Sequence, residues 1–208
     1  MIITHYGLGA IKAQFGDTTL VFGPVSKDSK NGKATRQSAT VGLISINHPD
    51  SNGQDGLHYG DKTAFVIDGP GEYEVADVFV KGVPSVSEYD KKPHINTIYV
   101  TTLEGMRIAY LGALSSEELE AKSREALEDI DILFVPIGGE GTLDSVAAYK
   151  FAVKIGARLI IPIYTTPATL KDFLKEAGGD KVKPEDKLTV KKKEVSVMEG
   201  QVAVLSAQ

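Results

Sequence analysis

Three short apolar segments constrain this chain more than any other feature. Residues 40–46, 132–137 and 159–163 are compact, mainly apolar runs that do not alternate polar with apolar. A strand with that pattern must be covered on both sides, whereas a half-exposed strand alternates. None approaches the roughly 20 residues that a bilayer-crossing helix needs. Between the second and third runs, Ala148, Phe151, Ala152 and Ile155 repeat at helical spacing. Strands with helices between them suggest sheets covered by helices.

The first half reads mainly as strands. Residues 2–5, 10–15 and 18–22 are short β-prone segments, with Gly16-Asp17 as a hairpin turn. Residues 25–38 are polar and read as a mobile surface loop. Residues 63–67 and 72–83 read as further strands, and 84–93 as a polar loop. In the second half, 97–101 and 107–111 read as strands joined at Glu104-Gly105. Ser115 and Glu118 have capping-box spacing and predict a helix start. Thr142 is expected to cap a helix that Gly156 ends, and Thr166-Pro167 to open another that stops at Gly178-Gly179. Residues 188–190, 194–198 and 202–205 read as closing strands. Together these elements predict one domain over 1–208, made of a strand-rich half (about 1–100) and a helix-containing half (about 101–208). The predicted class is α+β: two mixed sheets packed face to face with helices outside.

The 208 residues include no cysteine and four histidines. The missing cysteine excludes disulfides, thiolate metal sites and a cysteine nucleophile. A net charge of −5 argues against a general nucleic-acid binder, which needs a basic face. No basic segment followed by an apolar run opens the sequence, so a soluble cytoplasmic protein is expected.

The segment Leu43-Ile44-Ser45-Ile46-Asn47-His48-Pro49-Asp50-Ser51-Asn52 passes from a buried strand into a turn-rich loop, where ligands are commonly presented. It resembles the metal-binding loop of the metallo-β-lactamase fold superfamily, Ser/Thr-His-x-His-x-Asp-His. The nearest likeness is to the ascorbate-6-phosphate-lactonase-like and zinc-dependent hydrolase branch. Four more blocks carry it: Gly69-Pro70-Gly71-Glu72-Tyr73-Glu74-Val75, Ile108-Ala109-Tyr110-Leu111-Gly112-Ala113-Leu114, residues 131–139 and residues 157–164. The resemblance implies a four-layer αβ/βα sandwich and a metal-dependent hydrolase site.

Position by position, that site is mostly replaced. The family's loop histidines fall on Ile46, His48 and Ser51, and its loop aspartate on Asp50. The bridging aspartate falls on Ala113 and the last histidine on Tyr164. A hydrolytic zinc needs about three protein ligands beside an open water position. Ile46 and Ala113 donate nothing, Ser51 is a poor neutral ligand, and Tyr164 would have to ionise. The expectation is therefore a metal-free pseudoenzyme that binds or regulates. Its partner would be a small molecule or a protein, and a homo-oligomer is compatible with its strand edges. The alternative is a weak hydrolase of a lactone, phosphodiester or related ester, with one zinc or manganese at His48 and Asp50. A third reading makes His48 a base and Tyr164 an acid without metal. Equally, Asn-His-Pro-Asp is good turn chemistry, so the pair could be structural. His58, Glu72 and Glu140 are further candidates for the same pocket. His5 and His94 read as ordinary surface or core histidines, and Lys191-Lys192-Lys193 as a solvated edge. No Gly-x-Ser-x-Gly elbow supports Ser45 or Ser51 as a nucleophile.

Overall fold

A computed structural model describes residues 1–179 and 181–208, with Tyr59 and Lys62 described by their backbone alone. One mixed sheet has six strands in the order Leu188–Thr189, Ile2–His5, Ile11–Phe15, Thr18–Phe22, Val41–Leu43 and Phe65–Ile67. The Gly16-Asp17 turn holds Phe15 opposite Thr18, with Gly16 at φ 56°. The second sheet has seven strands, in the order Gln201–Val202, Leu159–Ile163, Ile132–Pro136, Met106–Tyr110, His94–Leu103, Val78–Ser87 and Gly71–Val75. Its three pairings nearest Gln201–Val202 are parallel and the other three antiparallel.

The two sheets face each other across a core that contains Leu20, Phe22, Leu43, Tyr99, Ile108, Tyr110, Phe134 and Ile161. The other side chains of the second sheet, including Ile98, Ala109, Leu133, Val135 and Ile160, form a separate core with Ala148, Phe151 and Phe173. Successive residues of Ile132–Pro136 thus enter opposite cores, which is why that strand has no polar face. The helices of that outer layer are α1 (Ala121–Glu125), α2 (Ser145–Ile155) and α3 (Pro167–Glu176). The outer side of the first sheet carries a small sheet, Gln37–Ser38, Leu57–Tyr59 and Lys62–Thr63, packed through Leu57 onto Val21. Among the described residues, no helix is long and apolar enough to cross a membrane.

The sheets do not divide near residue 100: Gly71–Val75 already belongs to the second, and Leu188–Thr189 returns to the first. Other corrections are local. The expected loop at 84–93 is shorter than that, because Val78–Ser87 runs through Pro84 to Ser87 and leaves residues 88–93 to connect it to His94–Leu103. Beyond Gly82 the first of these has a strand partner on one side only, where proline is tolerated. The Ser115–Glu118 box does not form. Ser115 Oγ donates to the Val86 carbonyl instead, and α1 begins later with Glu120 at its N-cap. Asp144, not Thr142, caps α2 and accepts the Val146 and Ala147 amides at 2.9 and 2.8 Å. Thr166 and Pro167 open α3 and Gly156 ends α2 as expected.

Residues 194–198 are not a strand, because α4 (Lys192–Val195) occupies that segment. Its Lys192 is not merely solvated. Lys192 Nζ lies 2.6 Å from the buried Asp131 carboxylate, which also meets Arg158 Nη1 at 3.0 Å and the Arg107 amide at 2.8 Å. This cluster anchors α4 to the start of Ile132–Pro136.

His5 is buried, with Nε2 3.0 Å from the Leu8 carbonyl and Nδ1 3.4 Å from that of Leu205. Burial lowers its pKa below the usual 6.5 and outweighs the two carbonyls, which raise it. The unfolded chain therefore binds a proton there more readily than the folded one. Stability is unaffected by His5 above about pH 6.5 and falls as the pH drops below that value. Urea midpoints at pH 7.5 and 5.5 should show the loss, and His5→Gln should reduce it. A midpoint unchanged between the two pH values would contradict this.

Candidate functional site

The strand Val41–Leu43 delivers residues 44–51 to one end of the sandwich. The chain turns there at once: the Ser51 and Asn52 amides donate to the His48 carbonyl at 2.8 and 3.0 Å. The Asp50 amide donates to His48 Nδ1 at 3.2 Å. Asp50 is fully buried, and a buried carboxylate needs hydrogen-bond donors. Ser29 Oγ donates to one oxygen, and Asn31 Nδ2 and Tyr89 OH donate to the other at 2.8 Å each. Burial raises the Asp50 pKa, but these bonds, together with His48, outweigh it and hold the carboxyl below its usual range. Asp50 thus clasps three segments that lie far apart in the sequence: its own loop, residues 29–31 and the turn at Tyr89.

The other positions that the family resemblance aligns with metal ligands are filled from within. Ile46 and Ala113 belong to the sandwich core, 1% and 0% exposed. The Ala113 amide donates to Asn96 Oδ1 at 3.0 Å. Next to it, Gly112 is at φ 63°, where a Cβ would sit 2.4 Å from Asn96 Oδ1 and 2.5 Å from Ser45 Cβ. Ser51 is fully buried, and its Oγ lies 3.3 Å from Ser45 Oγ. Tyr164 follows the strand Leu159–Ile163 at φ 55°, with its amide donating to the Leu8 carbonyl at 2.8 Å. Its hydroxyl lies beside Ser51 and Tyr110 and, among the described residues, meets no partner in hydrogen-bonding geometry. Tyr110 OH donates to the Gly9 carbonyl at 3.0 Å. Both rings crowd Gly9, where a Cβ would lie 2.6 Å from Tyr164 Cε2 and 2.7 Å from Tyr110 OH.

Rings continue outward from there. Tyr89 and Tyr164 are 5.4 Å apart by centroid, His48 and Tyr89 5.0 Å, and His48 and His94 5.9 Å. His94 Nε2 also lies 3.1 Å from the Tyr89 carbonyl. His94 is therefore next to the site rather than in a distant loop. Glu140 lines the same cleft as Tyr164. Glu72 does not join them: it pairs with Lys81 across the strands Gly71–Val75 and Val78–Ser87, at 3.6 Å. His58 lies in the small outer sheet and lines a different hollow, with Arg36 and Asp61. Ser29, Asn31 and Tyr89 were not foreseen. Nothing in the sequence marks them, because the burial of Asp50 that calls for donors is itself set by the fold.

A model of the beta-lactamase superfamily domain matches residues 3–164. The chain belongs to that superfamily. It is similar to a proposed zinc-dependent hydrolase of the metallo-beta-lactamase superfamily from Thermotoga maritima, with 27% identity, TM-score 0.78, and 100% of this chain and 99% of that one covered. At the level of fold alone it is similar to Igni18, a metallo hydrolase from Ignicoccus hospitalis (17% identity, TM-score 0.60, 91% and 99% covered). The same holds for an isothiocyanate hydrolase from Delia radicum gut bacteria (12% identity, TM-score 0.64, 92% and 100% covered). No curated protein matches.

The family implies a metal centre, but the residues present do not fit one. Among the described residues, no group of three or more His, Asp or Glu side chains is placed to hold a metal ion. His48 Nδ1 and both Asp50 oxygens already have hydrogen-bond partners. Tyr164 could ligate only as phenolate, and burial pushes its pKa further up.

Proposed function

We propose that this superfamily member is a metal-free, non-hydrolytic pseudoenzyme that acts as a binding or regulatory module. The observation that carries this reading is the Asp50 carboxylate. The one acidic side chain left from the family's ligand set is saturated by neutral donors from Ser29, Asn31 and Tyr89. A metal would have to displace all three, and the imidazole beside the carboxylate, His48, already takes an amide hydrogen at Nδ1. The partner in this reading is a small molecule or a protein in the cytoplasm.

The competing reading, a weak hydrolase with one zinc or manganese at His48 and Asp50, rests on their proximity: Nδ1 and Oδ2 are 3.7 Å apart. Metal analysis of protein purified without chelator separates the two. Less than about one metal per ten chains is expected, and no lactone or phosphodiester hydrolysis that depends on His48. Stoichiometric zinc or manganese that His48→Ala abolishes would overturn the proposal.

A further inference from the structure

A cleft of about 360 Å³ opens beside the clasp, within the size range of small-molecule sites. Tyr89 and Tyr164 supply its aromatic wall, with ring centroids 5.4 Å apart. Asp90 and Glu140 supply carboxylates, and among the described residues no lysine or arginine lines it. Backbone in the left-handed region brings these side chains to the cleft: φ is 54° at Asp90, 45° at Glu140 and 55° at Tyr164. Tyr164 is only 5% exposed and retains an unpartnered hydroxyl.

The charge in this cleft is uncompensated. Among the described residues, neither Asp90 nor Glu140 is ion-paired to a lysine or arginine. Only His48 Nε2 approaches Asp90, at 3.9 Å. On its other side that ring is engaged by the Asp50 amide, which donates to Nδ1 at 3.2 Å. Two free carboxylates repel an anionic ligand and attract a cationic one. The faces of tyrosine rings likewise attract a cation, and most strongly where water is displaced.

We propose that this cleft binds a small organic cation, of the alkylammonium class, between the tyrosine wall and the Asp90 and Glu140 carboxylates. The proposal deepens the reading of the protein as a binding module and rests on it. A hard inorganic cation would gain from the carboxylates but not from the rings.

The test is a titration of isotope-labelled protein, at constant ionic strength, with tetramethylammonium chloride, tert-butanol as its neutral near-isostere, and calcium chloride. Tetramethylammonium should give saturable amide shifts around residues 89–90, 140 and 164. Its affinity should fall at least tenfold in Asp90→Asn/Glu140→Gln, whose exposed positions leave the fold intact. Tert-butanol should bind at least tenfold more weakly. Equal binding of tert-butanol, tighter binding of calcium at the same residues, or no saturable shift would each overturn the proposal. Stoichiometric zinc in the purified protein would overturn the binding-module reading but not these titration curves, so the two fail separately.

Discussion

Asp50→Ala is expected to lower the melting temperature by about 10 °C. The carboxylate is fully buried and takes hydrogen bonds from Ser29, Asn31 and Tyr89. A hydrogen bond to a charged group contributes about 1.5–3 kcal/mol. The three donors lie near the surface and partly rehydrate when the carboxylate is removed, so a net loss of about 3 kcal/mol is expected rather than the full sum. Asp50→Asn should fall in between, because its amide keeps one acceptor but turns a donor toward the other hydrogen-bonding groups. The loss should also be localised. Amide exchange in residues 29–32 and 88–91 should accelerate more than in the strand Ile132–Pro136, because only the former are tied through the clasp. An unchanged melting temperature in Asp50→Ala would show that the clasp carries no weight and that the Asp50 carboxylate could exchange its donors for a metal at little cost.

The clasp also shows where sequence reasoning stops. Segments such as Ile2–His5, Thr18–Phe22 and Leu159–Ile163 were legible because their signals are local: β-branched runs bounded by turn residues. The caps at Thr166 and Gly156 were legible for the same reason. The reading of Ile46, Ser51, Ala113 and Tyr164 as replaced ligands rests on the family resemblance, and the structure shows how the space at those positions is used. The donors to Asp50 were not legible. Ser29 and Asn31 sit in a run of polar residues that reads as solvated loop, and Tyr89 lies 39 residues from Asp50. Pairings at that separation are set by the packing of the sandwich and leave no periodic trace. The missed extension of Val78–Ser87 has a similar origin. Pro84 and the polar Ser85 and Ser87 read as loop, yet the strand Val78–Ser87 is held by Ile98, Thr97 and their neighbours across the ladder.

The second large effect is expected from placing a carboxylate at Ala113, the position that the family resemblance aligns with the bridging aspartate. Ala113 is 0% exposed and packs in the core that holds Ile46, Tyr110 and Tyr164. Ala113→Asp would place an acid there with no cationic partner. An uncompensated buried charge costs about 3–5 kcal/mol, unless the group stays protonated at a somewhat smaller cost. Ala113→Asn separates charge from size, and should lose less. Zinc then gives the decisive comparison. If the new carboxylate completed a latent site with His48 and Asp50, zinc at about a hundred times its dissociation constant would return about 2.7 kcal/mol of stability. With His48 Nδ1 held by an amide and Asp50 held by three donors, no such return is expected. Thermal melts of both variants with and without zinc measure it. If zinc stabilised Ala113→Asp by several degrees and left Ala113→Asn unmoved, the ligands around Asp50 would still be available to a metal, and the chain would be one substitution from a metal site rather than structurally committed to working without one.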